Sequence, residues 1–218
     1  MINGVTKMKK NKIWLSIIIY IYIVYLNPII IKKLNFCFAD LNDSDVCTFS
    51  YLILFLINLV LFRKIIFTEL KNITGIDFEM LFRQFLLLFV FYIASCIVAA
   101  ICLPSNMNET NIDAYQNSGP ALIIIMIIGP CVEEFVFRFA VINLFRNKFA
   151  GVLVSSVIFG MNHCVDNAIV LGDIIQLVWA VPYIILGLGL GYIYAKHNNI
   201  FSSCISHCLI NVIGVMGG

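Results

Sequence analysis

The stretch Glu133-Glu134-Phe135-Val136-Phe137-Arg138 places three charges inside an otherwise apolar run, residues 121–145. A run of that length can cross a bilayer, which takes about 20 apolar residues. At bilayer depth each charged group costs roughly 2.5–3.5 kcal/mol or more, so all three need partners inside the protein. On a helix, Glu134 and Arg138 are four positions apart and can pair on one face. Glu133 is turned about 100° away and must face another element.

The rest of the chain is built to match. Of its 218 residues, 61% are hydrophobic and 12% are charged, against about 45–50% and about 25% in a soluble domain. The expectation is an all-α, polytopic transmembrane helical bundle of about seven spans, with six to eight as the range. The Lys and Arg residues flank apolar segments and form no patch, which excludes a nucleic-acid partner and points to topology signals.

Taken in order, a basic start with Lys7, Lys9, Lys10 and Lys12 precedes an apolar run over residues 13–31. That run exceeds the apolar core of a signal peptide, and no small-residue cleavage site follows, so a retained first span is expected. Residues 49–62 form a short second span. Residues 68–83 read as an interfacial amphipathic connection broken at Gly75. Residues 84–103 form the third span and residues 121–145 the fourth, with a break expected at Gly129-Pro130 just before the glutamates. Residues 149–163 form the fifth span, with Gly151, Ser155, Ser156 and Gly160 allowing close helix approach. A polar interruption at 166–173 leads to the sixth span, 174–195, where Gly187 and Gly191 have the spacing of a packing face. Residues 200–216 form the seventh.

With the N-terminus cytoplasmic, eleven basic residues fall inside (Lys7, Lys9, Lys10, Lys12, Arg63, Lys64, Lys71, Arg83, Arg146, Lys148 and Lys196) and only Lys32 and Lys33 outside. That asymmetry satisfies the positive-inside rule. The chain divides into N-terminal transmembrane helices and loops, 1–117, and a polar-cored C-terminal part, 118–218, within one membrane unit. Most of the eight Cys lie in or beside apolar segments and act as small hydrophobes. Cys37 and Cys47 share a polar loop and could pair in an oxidising compartment.

Three segments carry polar groups at membrane depth. The fourth has Glu133, Glu134 and Arg138; the fifth has His163 beside Asn162, four residues after Phe159; the seventh has His207 four residues before Asn211. A glutamate and a histidine can polarise one water, the carboxylate taking its proton. A second histidine and an asparagine can donate hydrogen bonds to an oxyanion. Glu133, His163 and His207 could instead bind a zinc ion with an open water position. Both routes end in amide hydrolysis. Cys164 and Cys208 adjoin the histidines in sequence but point to other helix faces, so nothing favours a thiol nucleophile.

These residues, Glu133-Glu134-xxx-Arg138, Phe159-xxx-His163 and His207-xxx-Asn211, resemble the three-motif signature of the CAAX protease and bacteriocin-processing (CPBP, or Abi) family. Its members are intramembrane endopeptidases related to the type II CAAX prenyl protease. The resemblance covers residues 118–215. It implies that Glu133 and His163 activate the water, that His207 and Asn211 stabilise the oxyanion, and that Glu134 and Arg138 hold the site, with Glu134 available for chemistry. Phe159 is expected to pack. The family has been described both as metal-dependent and as glutamate-dependent, and both routes stay open here.

The leading expectation is therefore a membrane-embedded protease cutting a membrane-anchored protein or peptide. Alternatives are a non-catalytic bacteriocin-immunity or binding protein and, further off, an ion-coupled transporter. A purely structural role would explain the Glu134–Arg138 pair but not Glu133, His163, His207 and Asn211 together. The Ile-, Lys- and Asn-rich composition points to an AT-rich genome and a bacterial cell membrane, where leader-peptide processing or toxin immunity fits better than cleavage of prenylated targets.

Overall fold

A computed structural model describes residues 7–26, 43–103 and 119–217. Among them all regular structure is helical, in seven rods. Helix α1 is Lys7–Ile21, continued by a wider π-helical turn Tyr22–Leu26. Helix α2 is Asp43–Lys71 and α3 is Phe78–Cys102. Helix α4 runs over 119–144, α5 is Lys148–Leu171, α6 is the 3-10 turn Ile174–Trp179 followed by Ala180–His197, and α7 is Ile200–Gly217. Four of these rods are long and apolar enough to cross a membrane, and Ile200–Met216 is a shorter apolar helix. The all-helical bundle expected from the sequence is what the chain forms. The Cys37–Cys47 pairing lies outside the described residues.

Single stripes bury the N-terminal helices. On α1, Ile13, Ser16, Tyr20 and Ile23 face inward; on α2, Ser50, Leu54, Asn58 and Phe62 do so at every fourth position. Their other faces, such as Val60, Phe67 and Ile18, are exposed large hydrophobics. That pattern suits lipid contact and would be costly in water. Ser16 Oγ donates to Asn58 Oδ1 at 2.8 Å, and Asn58 Nδ2 to the Leu54 carbonyl at 3.0 Å. This satisfies the buried polar pair that locks α1 to α2.

Helix α4 is the central post. Every residue from Val132 to Ile142 is buried, the mark of a helix surrounded on all sides. Phe137 joins the cluster containing Tyr20, Leu54 and Phe159, while Phe135 and Phe139 face Phe62, Val152 and Ile200 on the other side.

Three local expectations are revised. Gly129-Pro130 does not break α4. The helix widens instead, through a π-helical turn Ile124–Ile128 closed by the Gly129 N–H to the Ile124 carbonyl. The proline ring clashes with the carbonyl four residues back, and a wider turn relieves that clash. A second π stretch, Glu134–Val141, carries Glu134 and Arg138, and Glu133 ends the α-helical turn just before it.

The chain breaks at Gly75 as expected, but residues 68–83 belong to the ends of two long helices and the turn between them. Helix α2 continues to Lys71, a 3-10 turn spans Ile73–Gly75, and α3 starts at Phe78, capped by Asp77, whose side chain accepts from the Met80 N–H at 2.9 Å. Helical propensity carries α2 through its charged end, and Glu69 there bonds the start of a later helix. Residues 166–173 interrupt less than expected: α5 extends to Leu171 and stops at Gly172, whose φ of 63° suits glycine.

Helices α5 and α6 pack closely through small residues, as the glycine spacing implied. A Cβ on Gly187 would lie 2.9 Å from the Ser156 Cα, and one on Gly160 would lie 2.8 Å from the Ala180 carbonyl oxygen. Glu69 at the end of α2 holds the start of α7: its Oε2 accepts from the Ile200 N–H at 2.7 Å, and its carbonyl accepts from Asn199 Nδ2 at 2.9 Å. A carboxylate there also complements the positive end of α7. This contact ties the end of α2 to the first turn of the helix that carries His207.

Candidate active site

Helices α4, α5 and α7 bring Glu133, Glu134, Arg138, Phe159, His163 and His207 to one place. Glu134 and Arg138 are fully buried and pair, Nε to Oε2 at 3.3 Å. The other carboxylate oxygen, Oε1, lies 3.0 Å from His207 Nδ1. His163 Nδ1 lies 2.8 Å from the Phe159 carbonyl, one turn back on α5. A carbonyl oxygen can only accept, so His163 Nδ1 carries the proton; an ionised Glu134 imposes the same tautomer on His207. Both rings therefore turn Nε2 toward Glu133. Its Oε2 stands 4.0 Å from His163 Nε2 and 3.9 Å from His207 Nε2.

Phe159 does more than fill space. It is fully buried, with the Arg138 guanidinium 4.4 Å over its ring. His163 and His207 lie 4.5 Å and 5.7 Å from the same ring, centroid to centroid. Among the described residues the Arg138 nitrogens have no hydrogen-bond partner, so its charge rests on Glu134 and on the aromatic face. Ser155 on α5 donates to the Phe137 carbonyl at 2.6 Å, anchoring the π stretch beside the charges. Asn211 is half-buried one turn beyond His207 on α7, the register expected from its spacing.

Several contributors were not singled out in the sequence. Tyr183 of α6 stacks on His163, with centroids 4.4 Å apart and planes 15° apart. Tyr51 of α2 reaches Glu133 Oε1 at 3.4 Å. Tyr20 and Tyr25 of α1 bond Asn162, the neighbour of His163. The only signal for them was a hydroxyl on an apolar face, which buried tyrosines share whether or not they serve a site.

Residues 115–213 match the family model described as type II CAAX prenyl endopeptidase Rce1-like. The resemblance read from the three motifs is thereby borne out. This Rce1-like region holds all the charged and histidine residues of the site. Over 92 residues, 42% of this chain and 46% of the relative, the chain is 33% identical to UPF0177 protein YxdF of Lactococcus lactis subsp. lactis (strain IL1403). Over 116 residues, 51% of this chain and 43% of the relative, it is 28% identical to a Bacillus subtilis (strain 168) protein with the provisional name membrane peptidase YdiL. The chain thus spans under half the length of these curated relatives. No solved structure gives a significant match. With its long apolar helices and this Rce1-like region, the chain is an integral membrane protein.

Three hydrogen-bond acceptors, Glu133 Oε2 and the two Nε2 atoms, converge on one spot, and that donor chemistry suits a water, a proton or a metal ion. The spacings of 3.9 and 4.0 Å exceed the edge of a tetrahedral zinc site, about 3.3 Å from its bond lengths. Among the described residues no three His, Cys, Asp or Glu side chains are set to hold a metal as they stand.

Proposed function

We propose that this protein is an intramembrane endopeptidase that hydrolyses a peptide bond of a membrane-anchored protein or peptide with a water activated by Glu133. The observation that carries this reading is the convergence of Glu133 Oε2 with both Nε2 atoms at 3.9–4.0 Å. Polar atoms at that separation are the right distance apart to share one bridging water.

Glu133, with His163 accepting alongside it, takes the proton as the water oxygen attacks the scissile carbonyl carbon. His207 and Asn211 face the oxygen that gains charge; His207 donates from Nε2 when it carries a proton there as well as at Nδ1. When the carbon–nitrogen bond breaks, the proton held by Glu133 passes to the leaving amine. Glu134 fixes the tautomer and orientation of His207, the part that a carboxylate plays behind a catalytic imidazole. Two carboxylates face one guanidinium here, so a second positive charge, such as a proton on an imidazole, balances the buried cluster.

The converging acceptors also favour a second reading. Glu133, His163 and His207 would hold a zinc ion after side-chain shifts of about half an ångström, and the ion would supply Lewis acidity to the same hydrolysis. The provisional name of the Bacillus subtilis relative, membrane peptidase, supports the protease reading.

The test is Glu133→Gln against wild type in vesicles, with quenched fluorescent peptides carrying a lipid anchor and matched expression. Glutamine keeps the shape and removes the base. A fall of at least about 100-fold is expected for a general base; retained cleavage would sink the assignment.

A further inference from the structure

We propose that Tyr51 of α2, backed by Tyr20, Asn162 and Tyr25, is a positioning residue for Glu133: its hydroxyl holds Oε1 and leaves Oε2 as the oxygen that faces the two histidines. The kinetic part of this inference rests on the protease reading; the structural part does not.

Four observations carry it. Tyr51 Oη reaches Glu133 Oε1 at 3.4 Å, while Oε2 is the atom near His163 and His207. The Tyr51 ring lies along α4 at Gly129, where a Cβ would meet it at 3.7–3.8 Å, one turn before Glu133. Tyr20, which is buried, lies within hydrogen-bond reach of Tyr51 and accepts from Asn162 Nδ2 at 3.3 Å. Tyr25 donates to Asn162 Oδ1.

Asn162 donates to Tyr20 and Tyr51 donates to Glu133, while Tyr20 and Tyr51 lie within reach of each other. Hydroxyls in such a network polarise one another, and each would be costly to bury without a partner. A carboxylate carried by two rotatable side-chain bonds beyond Cβ could otherwise present either oxygen. With Oε1 bonded, the rotamer is chosen before substrate arrives, which is how supporting hydrogen bonds improve a reactive group. The residue comes from α2, outside the Rce1-like region of 115–213. The N-terminal helices thereby complete a site whose charged groups all lie in the C-terminal part.

The experiment uses the full chain in vesicles, with Tyr51→Phe, Tyr20→Phe, Glu133→Gln and, as a control, Tyr192→Phe on the exposed face of α6. Phenylalanine keeps the ring against Gly129 and removes only the hydroxyl. Infrared difference spectra identify the Glu133 carboxylate band as the one lost in Glu133→Gln. We expect Tyr51→Phe to shift that band and to lower kcat about tenfold with KM within about twofold, on the same anchored quenched peptides. Tyr20→Phe should shift the band less, and Tyr192→Phe should change nothing. An unchanged band in Tyr51→Phe overturns the proposal whatever the cleavage assay gives. A shifted band with wild-type kcat overturns the positioning role. If Glu133→Gln itself cleaves like wild type, the protease reading fails, and the band still decides whether Tyr51 holds Glu133.

Discussion

Glu134 serves Arg138 and His207 at once: one carboxylate oxygen lies 3.3 Å from the Arg138 Nε and the other 3.0 Å from the His207 Nδ1. All three side chains are buried. A charge pair that would otherwise only join successive turns of α4 thus becomes the link that orients α7.

Removing one partner should expose that dual role. Arg138→Met leaves Glu134 buried without its guanidinium, and a loss of about 3–5 kcal/mol is expected. The double variant Arg138→Met with Glu134→Gln should recover much of that stability without recovering cleavage, because a glutamine amide no longer enforces the His207 tautomer. Thermal unfolding and peptide cleavage on the same preparations check both halves. Equal recovery of both would show that Glu134 acts only as a counter-ion.

The contact between Glu69 and the start of α7 predicts a local effect. Glu69→Ala removes the acceptor of the Ile200 N–H and should cost about 1 kcal/mol, the scale of a helix cap. Hydrogen exchange should quicken in the first turn of α7 and leave α5 unchanged. Uniform quickening across both helices would argue against a capping role.

Close approach of α5 and α6 at Gly187 leaves no room for a larger side chain. A Cβ there already sits 2.9 Å from the Ser156 Cα, so Gly187→Val should destabilise by about 1–3 kcal/mol through overpacking. The same change at Gly214, where a Cβ meets nothing within 4 Å, should be tolerated. Thermal melts of the two variants provide the comparison.

Hydrolysis through Glu133 without a metal should survive prolonged chelation. Cleavage of the anchored peptides is expected to persist after dialysis against a strong zinc chelator, with metal content measured in parallel. Loss of activity restored by zinc, together with loss of stoichiometric zinc in Glu133→Gln and His207→Ala, would shift the assignment to the second reading.

Much of the site was legible because charge and imidazole are expensive at membrane depth. Glu133, Glu134, Arg138, His163 and His207 stood out against apolar runs, and helix periodicity alone paired Glu134 with Arg138 and put Phe159 below His163. The number of helical rods followed from apolar length. Local bounds were less legible. Pro130 predicts a disturbance, but whether a helix kinks or widens depends on what packs around it; here α4 widens over Ile124–Ile128. Charged residues at 68–83 suggested an interface, yet α2 continues to Lys71.

By itself, then, the sequence determined that the chain is a helical membrane bundle with a polar cluster on three helices, because burial costs depend on residue type and spacing. Tertiary structure alone decided which atoms meet. That Glu134 turns to His207, that Oε2 of Glu133 faces two Nε2 atoms, and that Tyr51 of a distant helix reaches Oε1 all depend on helix rotation and depth. Those are set by contacts between segments far apart in the chain, such as Glu69 with Ile200 and Ser156 with Gly187. No local periodicity encodes them.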